Sequence, residues 1–191
     1  MGRLILILTA ICISAAFALA NIYEITKGPI AEQKRLKVRR SLDAVLPEYN
    51  NNIEDDIKEV ITGKDKRGND VKVKFYIGRS DEQVVGTAFV VVAPDGYGDK
   101  IEIMMGVNHK REITGIEILS HRETPGLGER ITNKEWRDSF KGRSVANTRF
   151  SVKKDGGDID QFTGATISPR AVVKAVKRGL EFYQKNEGLF D

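Results

Sequence analysis

One short stretch near the carboxyl end combines residue types that could hold an anion. Residues 160–166 read DQFTGAT and lead into Ser168 and Pro169, which predict the N-cap and the first residue of a helix. Thr166 would then lie beside free backbone N–H groups and the positive end of the helix dipole, where anions bind readily. Gly164 would let a ligand approach the backbone closely. The same residues also fit an ordinary turn and helix cap, and on physical grounds alone that interpretation is favoured.

The rest of the chain offers little chemistry of its own. Cys12 is the only cysteine, so an intrachain disulfide and a C-x-x-C redox motif are excluded. His109 and His121 are the only histidines and lie far apart in sequence, so we predict that the chain holds no metal. No G-x-G-x-x-G follows a strand and no G-x-x-x-x-G-K-[ST] occurs, which argues against a Rossmann dinucleotide site and a P-loop.

The charge of the chain gives no sign of a nucleic-acid partner. The net charge is +4, from 31 Lys and Arg against 27 Asp and Glu. The basic residues form no stripe interleaved with aromatic side chains, and no nucleic-acid-binding motif occurs. We therefore predict that the chain does not bind nucleic acid.

An uncharged segment near the amino terminus could cross a membrane once. Residues 4–23 contain no charged side chain, and a helix of 20 such residues spans about 30 Å, the thickness of a bilayer core. A cleaved signal peptide and a retained anchor both fit, the first because residues 18–20 (ALA) resemble a cleavage site. We expect a transmembrane signal anchor over residues 1–25.

Basic residues on the two sides of this segment leave its orientation ambiguous. Several basic residues follow the segment closely, whereas only Arg3 and the amino terminus precede it; those that follow include Lys34, Arg35, Lys37, Arg39 and Arg40. The positive-inside rule taken alone would keep the following domain in the cytoplasm. Long folded domains are nevertheless translocated with their charges, so the count does not decide the side.

The elements that must position residues 160–166 begin with a helical lead-in and continue as strands. Strong helix formers at about residues 30–47 predict a helix that Pro47 closes. Five apolar runs then predict β-strands, which cover residues 57–61, 71–77, 84–92, 101–105 and 113–119. Residues 86–92 lack strict alternation, so we expect a central strand that is buried on both faces.

Two helices are predicted after the strands. Residues 133–140 place Trp136 and Phe140 on one face, which we interpret as core. The helix near Pro169 has apolar residues at helical spacing, which are Val172, Val176, Leu180 and Tyr183. The predicted fold class is α+β, with one N-terminal transmembrane helix followed by a single domain, residues 26–191, that has an antiparallel β-sheet and flanking helices.

Three loops together resemble one known family. They are residues 96–98 (GYG), 121–128 (HRETPGLG) and 160–166, in the order and approximate spacing of an FMN-binding domain. That domain occurs in the G subunit of the Rnf electron-transport complex and in the C subunit of the sodium-pumping NADH:quinone reductase. The resemblance covers about residues 30–185, and the short chain with a single anchor is more similar to the Rnf protein.

The resemblance implies a cofactor site residue by residue. In this family the last threonine of D-x-x-[ST]-G-A-T carries FMN through a phosphoester bond, which implies covalent attachment on Thr166. A separate flavin transferase that uses FAD and a divalent metal makes this bond, so the chain is its substrate. The other cofactor-binding residues that the resemblance implies are Thr163, Gly164, Ala165, Glu123, Thr124, Gly126 and Leu127. Thr163 departs mildly from the family, in which serine is frequent at this position, and keeps the hydroxyl.

Two residues of these loops have more than one interpretation. Leu127 stands between two glycines, where it either covers an apolar ligand such as the flavin ring or, as is commoner, plugs the core. Asp160 either orients the threonine loop, or binds the metal of the transferase, or simply caps the loop.

The resemblance also implies a function and a location. The chain would be an electron-carrying subunit of a membrane ferredoxin:NAD oxidoreductase (Rnf) complex, relaying electrons through covalent FMN and so contributing to ion transport. It would work with the other membrane subunits of that complex and would not be catalytic alone. Its flavin domain would lie on the extracytoplasmic side of the cell membrane. The alternatives are the equivalent subunit of the sodium-pumping reductase, a stand-alone flavoprotein, and a membrane-anchored binding module without redox chemistry.

Overall fold

The structure, a computed structural model, describes residues 1–64, 68 and 70–190 of the chain. Two compact units are present, Met1–Arg39 and Arg40–Asp191. The predicted domain at residues 26–191 includes five residues, at 65–67, 69 and 191, that lie outside the described residues.

The first unit consists of one helix. Helix α1 spans Gly2–Val45, so it runs on into the second unit and includes most of the predicted lead-in at residues 30–47. By its length and composition this helix could cross a membrane. Its apolar side chains between Leu4 and Tyr23 are exposed. Pro29 lies inside the helix, where its missing N–H removes one intrahelical hydrogen bond.

The second unit is built on a five-stranded antiparallel sheet. The strands are β1 Ile57–Lys64, β2 Asp70–Ser80, β3 Gln83–Ala93, β4 Ile101–Val107 and β5 Ile113–Ser120. Each strand pairs with the next along the chain, in the order β1-β2-β3-β4-β5. The predicted α+β fold class, with an N-terminal apolar helix and an antiparallel sheet, is confirmed.

Strand β3 is the central strand, but it is buried on both faces over only part of its length. Residues 86–89 are buried, whereas Val92 near the end of the strand is 44% exposed. The end of α1 and the residues after it lie against the Gly86 end of the strand, where Pro47 and Leu46 are close neighbours. The prediction of two buried faces for residues 86–92 is therefore correct for the first half of this run and wrong for Val92.

Four neighbouring strands each have a glycine where the end of α1 crosses one face of the sheet, so no side chain stands between the helix and the strands there. The four are Gly78, Gly86, Gly106 and Gly115. A Cβ atom on Gly106 would lie 2.8 Å from the carbonyl carbon of Val45 and closer still to its oxygen. The Thr114 hydroxyl donates a hydrogen bond to that same oxygen. This glycine track, as we name the four residues, lets the α1 backbone approach the sheet directly.

Helix α3, Ile167–Asn186, covers the opposite face of the sheet. A Cβ atom on Gly179 would lie 2.5 Å from Val91 Cγ1 and 2.8 Å from Met105 Cε, so this helix also approaches the sheet closely. The residues predicted to form its apolar stripe are all buried; they are Val172, Val176, Leu180 and Tyr183. The Tyr183 ring belongs to a cluster of aromatic rings, in which neighbouring centroids are 4.6 to 6.1 Å apart. The other members are Phe75, Phe89, Phe182 and Phe190.

A short helix lies between the last strand and residues 160–166 along the chain. Helix α2, Lys134–Asp138, is shorter than the predicted 133–140, and a 3-10 helix at Gly128–Thr132 precedes it. Trp136 and Phe140 are both buried, as predicted, with their rings edge to face at 5.1 Å between centroids. The indole N–H of Trp136 donates to the carbonyl of Asp160 at 2.8 Å, which fixes the start of residues 160–166.

Candidate functional site

The three loops that the sequence analysis singled out meet around one cavity of about 290 Å³. Its lining comprises Tyr97, Glu123, Thr124, Leu127, Gly128, Gly164, Ala165, Thr166, Ile167 and Ser168. Residues from the 96–98, 121–128 and 160–166 loops therefore share one site with the start of α3, although they are far apart in sequence. The volume lies near the lower end of the range for small-molecule sites, about 300–1,000 Å³.

The threonine loop, residues 160–166, is anchored by a buried aromatic side chain. Phe162 packs on Trp136 with the ring centroids 5.5 Å apart, and the Arg130 guanidinium lies 4.6 Å from the Phe162 centroid. The Ala165 N–H donates to the Phe162 carbonyl at 3.1 Å, and Gly164 between them has a φ of +80°. A positive φ at the third position of a turn is easy for glycine and strained for other residues. The loop thus carries Ala165 and Thr166 to the cavity wall.

Helix α3 begins two residues earlier than the sequence predicts. Its first residue is Ile167 and its N-cap is Thr166, so the prediction of an N-cap at Ser168 is wrong. The first intrahelical bond joins the Arg170 N–H to the Thr166 carbonyl at 3.1 Å, which leaves the Ile167 and Ser168 amides ahead of the helical hydrogen bonds. Thr166 is half-buried, and its hydroxyl makes no capping hydrogen bond to the helix among the described residues.

The Ser168 hydroxyl does not cap the helix because it is used elsewhere. It donates a hydrogen bond to Oε2 of Glu123, whose side chain is buried at 5% exposure beside the cavity. The Gly98 N–H donates to Oε1 of the same carboxylate at 3.4 Å. Among the described residues, no ion pair reaches Glu123. Neutral donors from two other segments therefore hold this carboxylate.

Leu127 forms part of the cavity wall. It is 47% exposed, so the interpretation that it plugs the core is wrong. Its N–H donates to the Thr124 carbonyl at 3.1 Å, and the preceding Gly126 has a φ of +72°, which turns the chain sharply before it. An apolar side chain that a tight turn holds open to a cavity can cover a flat apolar ligand.

Tyr97 is a second large side chain on the cavity wall, at 69% exposure. Close contacts of the glycines on either side hold its backbone. A Cβ atom on Gly98 would lie 2.7 Å from the carbonyl carbon of Arg122, and one on Gly96 would lie 2.8 Å from Glu123 Oε1. The 96–98 loop therefore packs directly on the 121–128 loop, which brings Tyr97 to the same cavity as Leu127.

Asp160 and the first turn of α3 take part in surface ion pairs. The Asp160 carboxylate is 2.7 Å from Lys153 Nζ, and both side chains are exposed. Arg170 donates two hydrogen bonds to Asp155, and this interaction holds the pKa of the Asp155 carboxyl below its ordinary value. These contacts orient the ends of the threonine loop and leave Asp160 outside the cavity lining.

The cavity contains most, but not all, of the predicted site residues. Those that line it are Glu123, Thr124, Leu127, Gly164, Ala165 and Thr166, whereas Thr163 and Gly126 do not. The residues that sequence reasoning missed are Tyr97, Gly128, Ile167 and Ser168. The GYG loop gave a signal for Tyr97, because an aromatic residue between two glycines is easily exposed. Within residues 1–64, 68 and 70–190, no group of three or more His, Cys, Asp and Glu side chains could hold a metal ion.

Comparison with known proteins assigns a domain type to this region. Residues 96–181 match the FMN-binding domain family, and this range includes all three loops of the cavity. The chain is 39% identical over 188 residues to the G subunit of the ion-translocating oxidoreductase complex of Aliivibrio fischeri, covering 95% of this chain and 90% of the relative. It is 42% identical over 184 residues to the protein of the same name in Shewanella amazonensis, covering 93% and 85%.

A solved structure shares the fold. The C subunit of the Na⁺-translocating NADH-quinone reductase from Parabacteroides distasonis aligns with a TM-score of 0.52 and 19% sequence identity. The alignment covers 77% of this chain and 80% of that chain. At this identity the likeness concerns the fold alone.

Proposed function

The chain belongs to the family of G subunits of ion-translocating oxidoreductase complexes, and from this premise we propose that it is an electron-carrying flavoprotein component of such a complex. The observation that carries the proposal is the cavity formed by the three loops and the start of α3, inside the region that matches an FMN-binding domain. FMN supplies the electron-transfer chemistry when it is bound, and the protein supplies position and environment.

The residues around the cavity fit the two chemical parts of FMN. The Ile167 and Ser168 amides and the dipole of α3 favour a phosphate at the helix start. Leu127, Tyr97 and the exposed side chain of Ile167 offer apolar surface for an isoalloxazine ring. The combination of anion-binding amides and apolar walls in one cavity supports FMN as the ligand.

We propose that FMN is attached covalently to the Thr166 hydroxyl through a phosphoester bond. The hydroxyl lies at the helix start and is not used as a cap, so it is available for this bond. An aliphatic hydroxyl is a weak nucleophile that needs activation, and this chain is therefore the substrate of a separate flavin transferase. With FAD as donor, the Thr166 oxygen bonds to the FMN phosphorus, the pyrophosphate link breaks, AMP leaves and the hydroxyl proton is released.

The chain acts within a membrane complex in this proposal. Helix α1 anchors it in the cell membrane, and the flavin domain lies on the extracytoplasmic side. Its electron partners are the neighbouring subunits of the ferredoxin:NAD oxidoreductase (Rnf) complex, whose electron transfer drives ion transport. The chain relays electrons and is not catalytic alone. The two relatives that share about two fifths of its residues support this complex over other assemblies.

The test is fluorescence of the denatured chain. The full chain is produced together with a flavin transferase and run on a denaturing gel, where only a covalently held flavin stays with the band. We expect a fluorescent band for the wild type and none for Thr166→Ala. Thr148→Ala is the matched control, because it removes a threonine hydroxyl outside the three loops and outside the cavity lining, and it should remain fluorescent. Fluorescence that persists in Thr166→Ala would contradict the proposed attachment site.

A further inference from the structure

A buried carboxylate joins three chain segments beside the cavity. Glu123 belongs to the 121–128 loop, Gly98 to the 96–98 loop and Ser168 to the second position of α3. The Ser168 hydroxyl and the Gly98 N–H both donate to the Glu123 carboxylate. Removing a carboxylate from water is costly unless hydrogen bonds compensate it, and these two donors supply that compensation.

Two glycines allow the carboxylate and the hydroxyl to meet. A Cβ atom on Gly128 would lie 2.5 Å from Ser168 Oγ and nearer still to Glu123 Oε2. A Cβ atom on Gly96 would lie 2.8 Å from Glu123 Oε1. Side chains at either position would displace the carboxylate, so the backbone on both sides is shaped around it. The contact of Glu123 with Ser168, enclosed by these glycines, is named the clasp.

The clasp lies next to Thr166, the residue that is proposed to carry the cofactor. Ser168 is two residues after Thr166, and the Arg170 N–H to Thr166 carbonyl bond links both to the first turn of α3. A fixed Ser168 side chain therefore fixes the rotation of this turn about the helix axis. That rotation sets the direction of the Thr166 hydroxyl and of the free amides at positions 167 and 168.

We propose that Glu123 is a positioning residue, which acts through Ser168 to orient Thr166 for flavin attachment. The proposal rests on the proposed function, because it concerns the same attachment site. In a simple cap, the serine hydroxyl would bond to its own helix; here it reaches a residue 45 positions earlier in the chain. The clasp thus connects the loop at residues 121–128 with the attachment loop, and neither can shift without the other.

The test measures attachment kinetics on the full chain. Purified chain without flavin is incubated with a flavin transferase, FAD and Mg²⁺, and kcat and KM for the protein substrate are measured. We expect Ser168→Ala and Glu123→Gln each to lower kcat about tenfold or more, with KM nearly unchanged, because misplaced reacting groups slow the chemical step. The double variant should be no slower than the slower single variant, since the two residues act as one unit.

Glu135→Gln is the matched control, because it removes the same charge from an exposed position on α2. It should attach FMN at the wild-type rate. Wild-type kcat in both Ser168→Ala and Glu123→Gln would overturn the role of the clasp. A wild-type chain that accepts no FMN at all would instead contradict the proposed function, so the two failures are distinguishable.

Hydrogen exchange separates positioning from general loss of structure. In Ser168→Ala, faster exchange confined to the first hydrogen-bonded amides of α3, beginning with that of Arg170, supports the proposal. Acceleration across the whole sheet would overturn it, because the hydroxyl would then stabilise the domain as a whole and not orient one turn. This measurement also covers a variant that folds poorly, since a uniformly unprotected domain counts against the positioning role.

Discussion

Three large side chains with apolar surface line the cavity and remain exposed. Leu127 is 47% exposed, Ile167 46% and Tyr97 69%. Single exposed apolar residues are common on protein surfaces, but a group of them at one cavity is typical of a ligand-binding groove. In the proposed function these residues would cover the apolar ring of the bound flavin.

Leu127→Ala tests this role of the cavity wall. We expect flavin attachment to stay intact, because the side chain is not part of the threonine loop. The reduction potential of the attached flavin should rise, since water reaching the ring stabilises the added negative charge of the reduced form better than an apolar wall does. Redox titration of the purified flavoprotein measures this shift.

Leu189→Ala is the control for that titration, because Leu189 is 48% exposed and does not line the cavity. An unchanged potential and an unchanged absorption spectrum in Leu127→Ala would show that this residue does not cover the flavin.

Ser168 shows why a local reading of the sequence fails at single residues. A serine before a proline is a good N-cap in any local window, and the predicted helix start was wrong by two residues. The hydroxyl bonds instead to Glu123, a partner 45 positions away that no local window includes. The turn at Gly164 was predictable, because it depends on adjacent residues.

At the scale of the secondary-structure elements, the glycine track lets the end of α1 pack directly on the sheet. Gly106 pairs with Gly115 across β4 and β5, and the Val45 carbonyl lies directly over Gly106. The neighbour of a new Cβ atom there is backbone and not a flexible side chain. A side chain at this position would therefore force the α1 backbone and the sheet apart, because no flexible side chain can move aside.

Gly106→Ala is expected to destabilise the domain by about 1–3 kcal/mol, as overpacking of a close contact does. Urea unfolding of the full chain in detergent, followed by the fluorescence of Trp136, measures the change. Trp136 is the single tryptophan of the chain and is buried, so its emission reports on this domain.

Gly63→Ala provides the comparison, because a Cβ atom at Gly63 meets nothing within 4 Å. It should unfold close to the wild-type midpoint. Equal midpoints for Gly106→Ala and Gly63→Ala would mean that the α1 backbone does not pack on the sheet in this way.

The positions of the strands could be predicted from the sequence, but the residues that they bury could be predicted only in part. Alternating apolar residues reveal a strand such as β2, in which Phe75 and Ile77 on one face are fully buried. Val92 was predicted to be buried, yet it is 44% exposed, since burial depends on how far α1 and the residues after it extend over the sheet. That extent is set by the glycine track, which involves four strands at once.

At the scale of the whole molecule, labelling of an introduced cysteine tests the side of the membrane on which the domain lies. The basic residues that follow residues 4–23 favour the cytoplasm, whereas the proposed function requires the extracytoplasmic side. Asn51 is a poor site for a reporter cysteine, because its amide bonds to the backbone of Ile77 and Arg79. Lys110 is exposed and sits in a turn between β4 and β5.

Lys110→Cys in a Cys12→Ser background is therefore expected to react with a membrane-impermeant thiol reagent in intact cells. If the cells have an outer membrane, it is first made permeable to the reagent. The Cys12→Ser chain without the added cysteine should not be labelled. Labelling of Lys110→Cys only after the cells are lysed would place the domain in the cytoplasm.

The convergence of the three loops is the property that local sequence patterns could not predict. Residues 96–98, 121–128 and 160–166 are separated by strands and helices, and only the packing of those elements brings them to one cavity. The resemblance to an FMN-binding domain predicted site residues in the 121–128 and 160–166 loops, and it gave none in the 96–98 loop. The composition of the loops explains the shape of the site, because glycines at 96, 98 and 128 permit the close approach of the chains.

The most direct test of the account is the intact mass of the full chain produced together with a flavin transferase, followed by mapping of the modified peptide. We predict an increase of one FMN less one water, carried by the peptide that contains Thr166 and absent from Thr166→Ala. An unmodified chain, or FMN found on a peptide without Thr166, would contradict the central claim.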